Sequence, residues 1–210
     1  MQKLFQELGV VNVVSGGQTM NPSTEDILHA AEQVPAMDVY VLPNNKNIVM
    51  AAEQAARLAR TSGVRRIHVV PTTTIPQGIS AMMAYDESAE IKDNVEAMQE
   101  AASRVQSGSV TFAARDSDYD GHQIKEGELL ALENGKVAFT GTDLGSVTAK
   151  VAKDLMREDS QFITLLYGAD VSEEQAADVE EAVRSLLPEE VELTVAYGGQ
   201  PVYYFLISVE

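Results

Sequence analysis

The stretch "VNVVSGGQTMNPSTEDIL", Val11 to Leu28, carries an apolar run into two glycines and then into a polar segment that opens a helix. A strand followed by glycines and a helix start is where an α/β protein can hold an anion, because free backbone N–H groups and the helix dipole point into the turn. Ser15, Gly16, Gly17, Gln18 and Thr19 are therefore candidate cleft residues. Turn-making alone is the other use of the same glycines. Their adjacency is not the G-x-G-x-x-G dinucleotide fingerprint, and the chain contains no G-x-x-x-x-G-K-[ST] phosphate loop.

Two more polar turns follow β-like runs. One holds Asn44, Asn45 and Asn47; the other holds Thr72, Thr73 and Thr74. Ligands of open parallel sheets lie beyond the carboxyl ends of the strands, so these turns are expected to converge with the Gly16 turn on one cleft. Capping and turn-making compete for the same hydroxyls and amides. "DSDYDG" places Asp116, Asp118, Asp120 and Gly121 at positions 1, 3, 5 and 6 of a calcium loop, but position 12 is Gly127 and the flanks read as strands. A solvated turn is the expectation there. His29, His68 and His122 form no metal-ligand spacing, so no metal and no cofactor is expected.

The elements that would position these turns alternate in the first half. Val10–Val14, Asp38–Leu42 and Arg66–Val70 read as strands, each followed by a turn and a helix, which implies a parallel sheet. Ser23 with Asp26 forms a capping-box pattern, and Asn45 or Asn47 caps a helix whose Ile48, Ala52, Ala55, Ala56 and Ala59 share a face. A helical pattern from about Asp86 to Gln106 leads into a strand-rich region, where Asn134-Gly135 is a hairpin signal. Two helices follow, the second opened by Ser172 and Gln175 and stopped by Pro188, among strands "FITLLYG", "VELTVAYGG" and "PVYYFLISVE". The expected fold is α/β in two lobes: residues 1–107 with a parallel sheet, and 108–210 with a mixed sheet and a β-hairpin.

Composition narrows the partners. The 210 residues include 32 acidic against 15 basic, a net charge of −17, which disfavours a polyanionic nucleic acid. Gly198-Gly199-Gln200 repeats Gly16-Gly17-Gln18 and is similar to the tripeptide of peptide chain release factors, but an acidic surface is wrong for a ribosomal partner. Cysteine is absent, there is no apolar run of membrane-spanning length and no signal-peptide pattern, so a cytoplasmic location is expected.

Taken together, "SGGQTMNPSTEDIL", "VLPNNKNIVMAAEQAA", "VVPTTTIPQGISAMMAYD" and the terminal "GGQPVYYFLISVE" resemble, in that order and over the whole chain, the C-terminal domain of the A component of the bacterial two-component fatty acid kinase, the DAK-phosphatase or YloV-like family. That domain in turn resembles DegV-type lipid carriers, including the kinase's own carrier subunit. The resemblance implies a DegV-like fold. It also places Gly198, Gly199 and Gln200 at the carriers' terminal ligand loop, so they join the candidate cleft. The carriers hold a carboxylate there with a serine, an arginine and a histidine. Here Asn44, Asn45 and Lys46 replace a Ser/Gly turn, and the Gly198 loop has no histidine. The Asp-Gly-Asp-Thr-Gly turn of the kinase's nucleotide site has no counterpart in this sequence.

The resemblance therefore implies a non-catalytic module that docks the fatty-acid-binding carrier subunit while a kinase domain of the same polypeptide forms the acyl phosphate. The alternative is a binder of, or enzyme acting on, a small anion or acyl group, using the cleft at the strand ends. A homodimer stays open.

Overall fold

In the computed structural model, which describes residues 1–14, 21–119 and 122–210, the chain divides between Arg104 and Val105. In chain order the first unit runs α1 (Gln2–Glu7), α2 (Thr24–Glu32), β1 (Asp38–Val41), α3 (Lys46–Ser62), β2 (Arg66–Val69), α4 (Ile75–Met83) and α5 (Ile91–Arg104). The second runs β3 (Gln106–Phe112), β4 (Ser117–Tyr119), β5 (His122–Ile124), β6 (Leu129–Glu133), β7 (Lys136–Gly141), α6 (Leu144–Leu155), β8 (Phe162–Tyr167), α7 (Glu173–Arg184), β9 (Glu192–Tyr197) and β10 (Tyr203–Val209); Met1 belongs with it.

β1 and β2 pair in parallel, Asp38 opposite Arg66 and Tyr40 opposite His68. Side chains alternate across a strand, so Val39, Val41, Ile67 and Val69 share one face. They pack with Ile27, Ala31 and the small stripe Ala52, Ala55 and Ala59 of α2 and α3. Tyr40 and Val70 belong to the opposite face, where Ala81, Met98 and Ala102 of α4 and α5 close a second cluster. Alanines at helical spacing let α3 lie close to the sheet, and Gly63 ends that helix at a left-handed φ of 71°.

Val10–Val14, expected as a strand, forms none. It follows a turn at Gly9 (φ 90°), and Val11, Val13 and Val14 are 60%, 39% and 40% exposed. β-propensity expresses a fit to a partner strand, and this run has none among the described residues. The helix expected from Asp86 begins later, at Ile91, because Asp86 caps a turn by accepting from the Ser88 N–H and hydroxyl.

In the second unit, a six-stranded mixed sheet runs in the order β7-β6-β3-β10-β8-β9. β8 and β9 are parallel, the other pairings antiparallel. α6 and α7 bury Val147, Val151, Leu155, Val179 and Val183 against Val110, Leu165, Phe205 and Ile207. Asn134 (φ 48°) and Gly135 (φ 78°) join β6 to β7 in a two-residue turn with both residues left-handed, as the twist of a hairpin favours. β4 and β5 form a separate hairpin. Ser23 with Asp26 and Ser172 with Gln175 are complete capping boxes.

Candidate functional site

The turns that leave β1 and β2 meet. After β1, Asn44 adopts φ 54°, a left-handed conformation that asparagine tolerates, and Asn45 then caps α3 by accepting from the Asn47 N–H at 2.9 Å. After β2, Thr74 caps α4, with Pro76 in its first turn. Thr72, only 1% exposed, joins the two: its hydroxyl donates to Asn44 Oδ1 at 2.7 Å and accepts from the Asn44 N–H at 3.1 Å. Thr73 donates from both its N–H and its hydroxyl to Gln77 Oε1 at 2.7 and 2.9 Å.

Gly78 completes this arrangement. A Cβ there would lie 2.1 Å from Asn44 Oδ1, so the Asn44 side chain occupies the space that any larger residue of α4 would need. Thus Asn44, Asn45, Thr72, Thr73 and Thr74 spend polar groups on building the turns and caps. Asn47 is exposed on the first turn of α3. Ser15, Gly16, Gly17, Gln18 and Thr19 lie outside the described residues, as do Asp120 and Gly121 of the calcium-like string.

Gly198, Gly199 and Gln200 belong to the second unit, in the connection from β9 to β10. Gln200 is buried at 4% exposure; its Nε2 donates to Leu166 O at 2.7 Å, and its backbone oxygen accepts from Ala169 N–H at 3.0 Å. The N–H groups of Gly198 and Gly199 both reach Tyr167 O, and the Met1 amino group donates to Gly198 O. Val202 has φ 72°, an outlying conformation for a β-branched residue, closed by the Tyr203 N–H on Pro201 O at 2.8 Å.

A third constellation comes from the fold. Asp38 receives Arg66 Nε at 2.7 Å, Arg66 Nη2 at 2.5 Å and His68 Nε2 at 2.9 Å. The Arg66 hydrogen bonds, then that of His68, hold the Asp38 carboxyl far below its ordinary range. A carboxylate only accepts, so His68 donates to Asp38 from Nε2. The ring sits 5.6 Å from that of Tyr40, whose hydroxyl pKa is raised by burial and which shares a hydrogen bond with Asn94. His68 also lines an open groove of about 650 Å³ with Glu90, Ile91, Lys92, Val95, Glu96 and Gln99. The signal available in the sequence is the Asp-x-Tyr and Arg-x-His alternation. Only the parallel register turns it into a cluster.

His29 is exposed and contacts Gln33 one turn away. Among the described residues no group of three His, Asp or Glu side chains could hold a metal ion, and no helix is long and apolar enough to cross a membrane.

Comparisons with known proteins agree on the lineage. The protein YloV of Bacillus subtilis is 41% identical over 207 residues, covering 99% of this chain and 36% of that protein. An uncharacterized protein of Staphylococcus haemolyticus is 42% identical over 210 residues, covering all of this chain and 37% of the relative. The chain thus spans little more than a third of the relatives it matches. Among solved structures, dihydroxyacetone kinase of C. freundii has a TM-score of 0.68 at 16% identity, over 90% of this chain and 41% of that one. A DegV family protein of Ruminococcus gnavus gives 0.61 at 13%, over 100% and 83%. The fatty acid kinase B3 protein of Streptococcus pneumoniae, loaded with linoleic acid, gives 0.60 at 14%, over 90% and 76%. These TM-scores show a shared DegV-like α/β fold. The model of the FakA-like C-terminal family, that of the fatty acid kinase A component, matches residues 1–210, and the chain belongs to that family.

Proposed function

We propose that this chain is the non-catalytic module of a cytoplasmic fatty acid kinase that docks the fatty-acid-binding carrier subunit, so that a kinase domain of the same polypeptide can form the acyl phosphate. The observation that carries the reading is the family match over residues 1–210 in a chain whose fold is also that of a fatty-acid-loaded protein of a fatty acid kinase. A module that shares its partner's architecture can present the same sheet ends and loops without holding lipid itself. The turns at Asn44 and Thr72 support this, because their polar groups are engaged with each other. The relatives' greater length leaves room for a kinase domain elsewhere in the polypeptide.

Competition tests the proposal. Added in excess to the full-length kinase and its carrier, the 210-residue chain should inhibit fatty acid phosphorylation by occupying the carrier without supplying a catalytic site. Unchanged turnover at a large molar excess of folded chain would reject it.

A second reading has one specific observation in its favour. The N-termini of α3 and α4, capped by Asn45 and Thr74, are brought together by the Asn44–Thr72 bonds, and converging helix N-termini favour an anion. Under that reading Ser15–Thr19, Asn44, Asn45, Asn47 and Thr72–Thr74 line an anion or acyl site. Amide shifts of residues 44–47 and 72–77 on titration with phosphate or a short-chain carboxylate would favour it; unmoved amides would reject it.

A further inference from the structure

Asn134 turns the β6–β7 hairpin and also holds the start of β3. Its backbone N–H donates to Ser107 O at 2.7 Å, and its Oδ1 accepts from the Ser107 N–H at 3.0 Å, so one residue serves both backbone polar groups of Ser107. Nδ2 donates to Gln106 Oε1 at 3.2 Å, which engages the other end of the same amide. Ser107 is buried and lies just beyond Arg104, where the chain divides.

The same turn is chemically labile. Asparagine is a thermolabile side chain, most of all before glycine, whose backbone nitrogen no side chain shields. Asn134 is the asparagine of this chain that glycine follows; the others precede Val13, Pro22, Asn45, Lys46, Ile48 and Val95. Asn134 and Gly135 are exposed, and a Cβ on Gly135 would meet no atom within 4 Å, so water and hydroxide reach that nitrogen. Geometry holds the reaction off. A two-residue turn with both φ positive carries ψ of about +30° at its first residue, which places the Gly135 nitrogen across the Cα–C bond from the Asn134 Cβ. Attack on Cγ requires that peptide plane to flip, giving the other two-residue hairpin turn, and the amide to leave Ser107 and Gln106.

We propose that Asn134 is a site of spontaneous deamidation guarded by its native turn, and that conversion to isoaspartate releases the start of β3. The Gly135 N–H gives its proton to hydroxide and the nitrogen bonds to Asn134 Cγ. The Cγ–Nδ2 bond then breaks, and the amide nitrogen takes a proton from water and leaves as ammonia. Water opens the cyclic imide: cleavage of the N–Cγ bond yields aspartate, and cleavage of the bond to the main-chain carbonyl yields isoaspartate. Water enters and ammonia leaves, with no oxidant or reductant. Aspartate keeps an oxygen for the Ser107 N–H but loses the donor to Gln106 and puts a charge beside Glu133. Isoaspartate runs the main chain through Cβ and Cγ, so the turn is longer by a methylene and the paired bonds to Ser107 are lost.

The test is a peptide-map time course on the 210-residue chain at mildly alkaline pH, folded and in urea, with aspartyl and isoaspartyl peptides separated and read by mass spectrometry. In urea, Asn134 should convert faster than every other asparagine. In the folded chain it should convert at least about tenfold more slowly, because a guarded site reacts only in its open fraction. Gln106→Ala removes one partner of the amide and should speed conversion of the folded chain about two- to fivefold, the worth of one hydrogen bond, with the urea rate unchanged. Hydrogen exchange at amides 106–109 should be faster in the isoaspartyl chain than in the unconverted one. A different asparagine converting fastest in urea would overturn the site. Equal folded and unfolded rates, or a Gln106→Ala rate equal to wild type, would overturn the guard, and unchanged exchange at 106–109 would overturn the effect on β3.

Discussion

Gly78 and Asn44 show how a single missing methyl can fix a turn. A glycine within a helix normally costs ~1 kcal/mol relative to alanine, so by propensity alone Gly78→Ala would stabilise α4, although Gly78 is buried. The Asn44 amide stands where that methyl would go, pinned by Thr72, and overpacking reverses the sign to a loss of about 1–3 kcal/mol. Asn44→Gly suits the left-handed backbone and empties the space, so the double variant should recover part of the loss. Urea unfolding of the four proteins measures this coupling, and additive effects would contradict the clash.

Asp38 makes a second prediction at this scale. Its folded pKa lies below its unfolded one, so its contribution is present at neutral pH and is lost as pH falls below the unfolded value and through the folded one. Arg66 is largely exposed, which limits the worth of the pair. Asp38→Asn should therefore cost about 1 kcal/mol at neutral pH, and its gap from wild type should narrow in acid. A gap that widens on acidification would be the wrong sign. The sequence offers only the Asp-x-Tyr and Arg-x-His alternation for the Asp38–Arg66–His68 cluster, because residues 28 and 30 positions apart become neighbours only through strand register. The Ser23 and Ser172 capping boxes are legible because each is complete within four residues.

At the scale of elements, local turn chemistry is readable and strand partnership is not. Asn134-Gly135 dictates its hairpin because both residues must take positive φ. Gly135→Ala at φ 78° should destabilise by about 1 kcal/mol, seen as a lower urea midpoint with unchanged slope, since alanine lacks the freedom of glycine there. A neutral result would mean that the turn can change type. Val10–Val14 has the same β-like composition as Asp38–Val41, yet among the described residues only the latter finds a partner strand. Nothing in five valine-rich residues encodes whether an edge will be there to receive them. The convergence of the Asn44 and Thr72 turns, by contrast, follows from two parallel strands ending on the same side, which the alternation of strand, turn and helix already implies.

For the whole molecule, the uneven charge matters most: the first unit holds 12 acidic against 8 basic residues between Gln2 and Arg104, and most of the net charge of −17 sits in the second. Such a body associates quickly with a basic partner and poorly with nucleic acid or with itself. Docking is tested most directly by equilibrium binding of the isolated chain to the carrier subunit, with and without fatty acid, across a salt series. The expected result is a one-to-one complex that forms with the empty carrier as well as the loaded one, and that weakens as salt screens exposed charges over a Debye length of ~8 Å at physiological ionic strength. With both proteins folded, no complex at tens of micromolar in low salt would contradict docking as the work of this domain.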